Sequence, residues 1–241
     1  MNNKKLILIE LNELNFEYAK LYVEKFNLSN FKKIIDEGII ETSSEAEYTL
    51  LEPWIQWVTI HTGLSASEHG IFRLGDIVEK NNKDIFQLVE EKGFSVGAIM
   101  PMNVGNNLKS PNYFIPDAWT KTKTDGSFWS KILSKSISQI IIDNSERKIS
   151  IKNLFYFFLC FIKFSKKKNI FSYLKYFFKG IKYKYNLAIF LDLFIHDLHL
   201  NFIKKYKTDF STIFFNCAAH IQHHYFFNSK ILIDDNQNPE W

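Results

Sequence analysis

Apolar positions at 6–9, closed by Glu10 and Leu11, predict a buried strand over residues 6–11. The period then changes: Phe16, Ala19, Lys20 and Val23 follow the spacing of one helix face within 16–26. A short helix is predicted at 31–36, after which Gly38 breaks the pattern and 39–42 reads as a strand. Pro53 suits the first position of a helix, where its missing N–H costs nothing, and Gly63 stops the helix that runs to about residue 61. A helix at 84–92 closed by Gly93, a second buried strand at 94–100 and a helix at 127–143 follow. Asp209 is read as ending the preceding helix, ahead of a short strand at 212–215 and a histidine-rich segment at 218–225. Alternating strands and helices predict an α/β fold with a mostly parallel sheet covered by helices on both faces.

Residues 149–206 stand apart, and predict two or three helices inserted between sheet strands. By Asn186 this stretch holds thirteen Phe or Tyr and nine Lys with no acidic residue. The chain therefore divides into 1–148, the first part of the α/β domain; 149–206, the insertion; and 207–241, the return to the sheet. Two readings of the insertion stay open. It is a helical cap whose Lys stems cover apolar surface, or a basic aromatic surface that meets lipid headgroups.

At 241 residues and 46% hydrophobic content the chain can bury a sizeable core. Its net charge of +4 is regional, because the nine Lys of 149–186 leave the remainder net negative. No nucleic-acid recognition motif accompanies that charge, so a nucleic-acid partner is not expected. Cys160 and Cys217 sit in apolar runs without metal-ligand spacing, which predicts buried free thiols and a reducing compartment. The four-residue apolar run after the first Lys residues is too short for a signal-peptide core. The run at 154–162 is about half the roughly 20 residues a spanning helix needs. A cytoplasmic location is expected, with contact at the inner face of a membrane as its variant.

Candidate chemistry gathers in two places. The first is 52–64, Glu-Pro-Trp-Ile-Gln-Trp-Val-Thr-Ile-His-Thr-Gly-Leu, followed by Glu68-His69-Gly70-Ile71-Phe72. The second is Phe214-Phe215 leading to Ala218-Ala219-His220-Ile221-Gln222-His223, then Tyr225 and Phe226. Trp57, Thr62-Gly63 and His69-Gly70-Ile71 have the spacing of a motif in type I phosphodiesterases, and the second segment resembles their strand ending in Thr-Asp-Arg-Ile-Gln-His. A strand ending in Asn12-Glu13 is similar to their first metal-binding strand. The chain thus resembles the alkaline phosphatase superfamily, in its type I phosphodiesterase and nucleotide pyrophosphatase branch, which is related to the sulfatases.

That resemblance implies an alkaline-phosphatase-like fold and in-line displacement at phosphorus or sulfur by a nucleophile flanked by two divalent metals. It also implies departures. Asn12 stands where an Asp ligand is expected, Ala219 where a second Asp would be, and Pro53 at the nucleophile position, with Glu52 the nearest polar side chain. The implied metal set is Asn12, Glu10, His220 and His223, holding zinc or manganese, with Glu13 also able to replace the Asp. Glu52 and Thr49 are the candidate nucleophiles, Glu52 being equally a candidate ligand. His220 and His224 share a helix face at i, i+4.

The expected activity is a divergent metal-dependent hydrolase or transferase of phosphate or sulfate esters, acting on an anionic small molecule or on a glycan or lipid ester. The alternatives are a non-catalytic binding protein retaining the fold and a peripheral membrane module. His61 and His69 read as hydrogen-bonding anchors for their turns or as catalysts. His196 and His199, beside Asp192 and Asp197, read as an exposed helix face or a metal cluster. Arg73 and Asp76 read as an anion contact or a mutual pair. The family's remaining ligands come from a later segment, and after His223 the sequence holds Asp234-Asp235 but no His apart from His224. The expectation is therefore an incomplete metal site: either a downstream polypeptide completes the domain, or the chain is a truncated product with little activity.

Overall fold

The computed structural model describes residues 5–80, 82–142 and 150–226. Asp143, Ile149 and the pair Asp234-Asp235 lie outside the described residues. Strands β1 (Leu6–Leu11), β2 (Val96–Ile99), β3 (Tyr113–Ile115) and β4 (Phe210–Phe215) form one sheet in the order β1-β4-β2-β3, with every pairing parallel. Because all four strands run the same way, the residues that follow β1 and β4 emerge at one edge of the sheet. Asn12 N–H bonds the carbonyl of Phe215 there, extending the ladder one residue past the strand.

Local chemistry sets the helix limits. In α1 (Phe16–Phe26) the Asn15 side chain accepts from Tyr18 N–H at the start and Asn27 takes the left-handed conformation at the end. Helix α2 (Ser29–Glu37) follows. Helix α3 (Pro53–Thr62) has Pro at its first position and Gly63 at φ 70° beyond its last. The short α4 (Ala66–His69) starts at a Ser65–Glu68 capping box and α5 (Ile85–Glu91) at an Asp84–Gln87 box. Between β3 and β4 run α6 (Phe128–Ile142), α7 (Ile151–Phe164), α8 (Ile170–Lys182) and α9 (Tyr185–Tyr206), and α10 (Cys217–Tyr225) follows β4. The insertion is thus helical, with three helices of its own after α6.

Side chains alternate across the strands and feed two cores. Val96, Ala98, Phe114 and Phe210 pack with Phe86 of α5 on one face. Ile99, Tyr113, Ile115 and Ile213 pack on the other with Leu133 of α6, Cys160 of α7, Tyr173 of α8 and Phe194 of α9. Helices therefore cover both faces, and the insertion shares the main core with the sheet. Gly97 permits the closest approach in that core: a Cβ there would stand 2.2 Å from the Tyr113 ring. Helix α9 is long and apolar enough to cross a membrane by length and composition, but Phe194, Ile195, Leu198 and Phe202 spend its apolar face inside the protein.

Three expectations need correction. Residues 39–42 form no strand: Ile40 is 93% exposed, since no described neighbouring strand accepts it as a partner. The first strand is present but lies at the sheet edge, with Leu6, Ile7 and Ile9 exposed rather than buried. Asp209 does not end α9, which stops at Tyr206 through left-handed Lys207. The Asp209 carboxylate instead accepts from both the N–H and the hydroxyl of Ser95, joining the amino ends of β2 and β4.

Candidate functional site at the carboxyl ends of the strands

The direction of α3 follows from two contacts. Trp57 Nε1 donates to Asn12 Oδ1 at 2.8 Å, while His61 Nε2 lies 3.2 Å from Glu10 Oε1. Four residues forward along the helix, about 6 Å, match two residues back along β1, again about 6 Å. Helix α3 therefore runs antiparallel to β1 and aims its N-terminus past the carboxyl edge of the sheet. Asn103, soon after β2, confirms the direction by donating from Nδ2 to the Trp54 carbonyl at 2.8 Å. Glu52 lies one residue before this helix, exposed and with no side-chain capping bond. Thr49 is exposed in a 3-10 turn and donates its hydroxyl to Glu47 Oε1 at 2.7 Å.

Asn12 is 3% exposed and links three segments. Its amide oxygen takes the Trp57 indole N–H, and its NH2 donates to Asn216 Oδ1 at 2.9 Å. Next to it Glu13 adopts φ 50°, a left-handed backbone that costs a non-glycine residue about 1 kcal/mol. Two contacts from α10 hold it: Gln222 Nε2 donates to the Glu13 carbonyl, and His223 Nε2 lies 2.6 Å from Glu13 Oε2. Gln222 Oε1 also accepts from Asn15 N–H at 3.0 Å. The start of α10 is held by Asp192 of α9, whose Oδ2 accepts from Cys217 N–H at 2.8 Å. Burial raises the Asp192 carboxyl above its usual range, and raises the Cys217 thiol, with Asp192 adding to it.

Glu10 takes no part in this edge network. It is 1% exposed, with Oε1 bonded to His61 and to the Thr212 hydroxyl. Its Oε2 and His61 Nδ1 are buried without a hydrogen-bond partner. His61 is accordingly a core residue rather than a turn anchor. His69 does anchor its turn: Nδ1 accepts from Ile71 N–H at 3.0 Å and Nε2 faces the Thr59 hydroxyl at 3.2 Å. Burial lowers the His69 pKa. His220 is half-buried with its ring 4.9 Å from that of His224, and burial followed by the neighbouring imidazoles lowers its pKa.

The residues around His196 form neither an exposed face nor a metal cluster. Asp197 is fully buried and accepts from Lys166 N–H, Asn169 Nδ2 and the Tyr173 hydroxyl, at 2.7, 2.7 and 2.9 Å. His199 is buried against the Ser211 hydroxyl at 3.2 Å. Asp197 thus ties α9 to α8 and to the connection that precedes it, and His199 ties α9 to β4.

A zinc site normally takes three or four protein ligands. Glu13 and His223 offer a carboxylate and an imidazole, and Asn12 and Asn216 offer amide oxygens already engaged by N–H donors. Among the described residues no three His, Cys, Asp or Glu side chains gather to hold an ion. The described residues thus supply a pair of strong donors rather than a full set, and no step can be derived through a metal. What the pair does supply is a carboxylate oxygen at hydrogen-bond distance from an imidazole whose side chain is 61% exposed.

Of the residues joined at this edge the sequence reading named Asn12, Glu13, Trp57 and His223, but not Asn216, Asn103, the bond from Asp192 to α10 or the joining of Glu13 to His223. An open cleft of about 480 Å³ lies elsewhere, lined in part by Asn106, Leu108, Lys109, Lys123 and Lys131, and none of the expected site residues lines it. In comparisons with known proteins the chain matches no family model, no curated protein and no solved structure.

Proposed function

We propose that the chain is a divergent hydrolase or transferase of phosphate or sulfate esters, of the alkaline phosphatase kind, acting at the carboxyl edge of β1 and β4. One observation carries this reading. The segments picked out by the phosphodiesterase resemblance are bonded side chain to side chain, Asn12 to Trp57 and Glu13 to His223. Ligands of open parallel sheets bind at this edge, and the N-terminus of α3 brings partial positive charge toward it for an anionic ester. His223, oriented by Glu13, acts as general base. Glu52 and Thr49 are the candidate nucleophiles. A zinc or manganese ion, where bound, would take Glu13 and His223 as donors, and His223 would then be a ligand instead of the base.

The second reading, a binding protein that retains the fold without turnover, is favoured by Asn12, whose amide oxygen and NH2 both serve internal bonds. Metal analysis of the purified full chain, with assays of aryl phosphodiester, phosphate and sulfate substrates with and without zinc or manganese, decides between them. Turnover lost in His223→Ala supports the hydrolase. Absence of turnover on all three substrates, or turnover unchanged in His223→Ala, rejects it.

A further inference from the structure

The insertion carries a surface that the hydrolase reading does not use. Helix α7 carries apolar side chains on both its inner and its outer face: Cys160 and Phe164 are buried beside Asn153, and on the opposite face Ile151, Phe155, Phe158 and Ile162 are exposed by 87, 56, 56 and 62%. Helix α8 repeats the arrangement. Tyr173 and Gly180 are buried, while Phe171, Leu174, Phe178 and Ile181 form a stripe at i, i+3, i+7 and i+10, exposed by 81, 47, 63 and 73%. A surface helix normally turns its one apolar stripe to the core, whereas α7 and α8 each carry a second stripe that lies outside the core their helices complete.

Charge decides what covers them. Lys175, Lys179 and Lys182 run at i, i+4 and i+7 along one side of the α8 stripe, and Lys152 and Lys163 share one side of α7. Lys166, Lys167 and Lys168 fill the connection, and no acidic residue occurs anywhere in 149–186. A second copy would set like charges against each other beside its apolar contacts. An anionic bilayer satisfies both features: Phe and Ile enter the acyl boundary while Lys heads reach the headgroups on flexible stems.

We infer that the outer face of α7 and α8 is a docking surface for an anionic lipid bilayer, on which the protein sits peripherally with its insertion inward. This inference does not depend on the hydrolase reading, since vesicle binding is read without turnover.

The test is co-sedimentation of the full chain with vesicles of equal parts phosphatidylcholine and phosphatidylserine, beside phosphatidylcholine alone. The chain is expected to pellet with the acidic vesicles, less as salt rises, and far less with neutral ones. The double variant Phe171→Ser with Phe178→Ser, both exposed, is expected to weaken binding roughly tenfold or more. The triple variant Lys175→Glu, Lys179→Glu and Lys182→Glu is expected to weaken it on the order of a hundredfold. Failure of the wild-type chain to pellet with acidic vesicles overturns the inference, as does binding that survives both variants. Self-association in sedimentation velocity that the Phe variant abolishes, without vesicle binding, assigns the face to a second copy and overturns it equally.

Discussion

His223 Nε2 and Glu13 Oε2, 210 residues apart in sequence, lie 2.6 Å from each other at the edge where β1 and β4 end. On the hydrolase reading, this carboxylate is what orients the ring as a base. Glu13→Gln leaves a hydrogen-bonding side chain but removes the carboxylate that faces the ring. Turnover should fall by about tenfold or more, with the denaturation midpoint shifted little because the pair is partly exposed. Imidazole chemical shifts of His223 should move in Glu13→Gln if the pair exists in solution, and unchanged shifts would break this link.

Asn12→Leu should cost about 2–3 kcal/mol of stability. The substitution strips the Trp57 indole N–H and the Asn216 side chain of their shared buried partner, and each orphaned polar group costs roughly 1–3 kcal/mol less what relaxation recovers. Asn12→Asp should fall between, since a carboxylate still accepts from Trp57 but requires Asn216 to turn its amide. Urea midpoints of the two variants order the effects, and Asn12→Leu as stable as wild type would contradict the buried network.

The sequence made α3, α5 and the insertion helices legible because their limits are local. Pro53 and Gly63, or Asp84 and Gly93, act through one turn of chain. The strands depended on partners elsewhere. Residues 39–42 have the composition of a strand but no described pairing neighbour, while Tyr113-Phe114-Ile115, between two prolines, is too short to show a period and forms β3 because β2 lies beside it. The site divides the same way. Asn12, Trp57 and His223 were visible as motif positions, whereas Asp192 as the cap of α10 and Glu13 as the partner of His223 depend on tertiary approach. The buried role of Asp197 was hidden because nothing in a helical period shows that its side chain meets the connection between α7 and α8.

Asp197→Ala should be among the most damaging single changes in the insertion, costing about 3 kcal/mol or more. Lys166 N–H, Asn169 Nδ2 and the Tyr173 hydroxyl all lose their acceptor at once. Burial, then Asp197 itself, raises the Tyr173 pKa, so the hydroxyl stays a donor throughout the ordinary pH range. Hydrogen exchange should show α7 and α8 opening while β2 and β4 stay protected, and uniform protection across the chain would refute the anchoring role.

Glu52→Gln should remove at least about a hundredfold of turnover if Glu52 is the nucleophile. Its stability effect should stay within about 0.5 kcal/mol, because the side chain is exposed and caps nothing. Thr49→Ala is the companion, with the hydroxyl bound only to Glu47 in the present geometry. Kinetics of the two variants on the same aryl esters identify which matters, and a variant with wild-type turnover removes its residue from the mechanism.

Asp84 and His199 pull the pH dependence of stability in opposite directions. Burial pushes the Asp84 carboxyl from 3.8 up to about 6, opposed by hydrogen bonding to Gln87 N–H and by attraction to His61. Burial, then His196, pushes His199 from 6.5 down to about 4. The folded state thus holds the Asp84 proton more tightly than the unfolded chain, and stability from this group falls as pH rises from 3.8 to 6. The folded state holds the His199 proton less tightly, so stability from that group falls as pH drops from 6.5 toward 4. Across the shared interval the two slopes offset each other, by about 1.4 kcal/mol per pH step of one for each fully titrating group. Asp84→Asn keeps an oxygen to accept from Gln87 N–H while removing its own slope. Relative to wild type it should gain roughly 2–3 kcal/mol between acid and neutral pH. His199→Gln should show the reverse sign, gaining relative stability as the solution is acidified. Subtracting wild-type urea midpoints at each pH cancels every other titrating group, so the two difference curves should slope oppositely; parallel curves would show that one of the two side chains is not held in the protonation state its burial imposes.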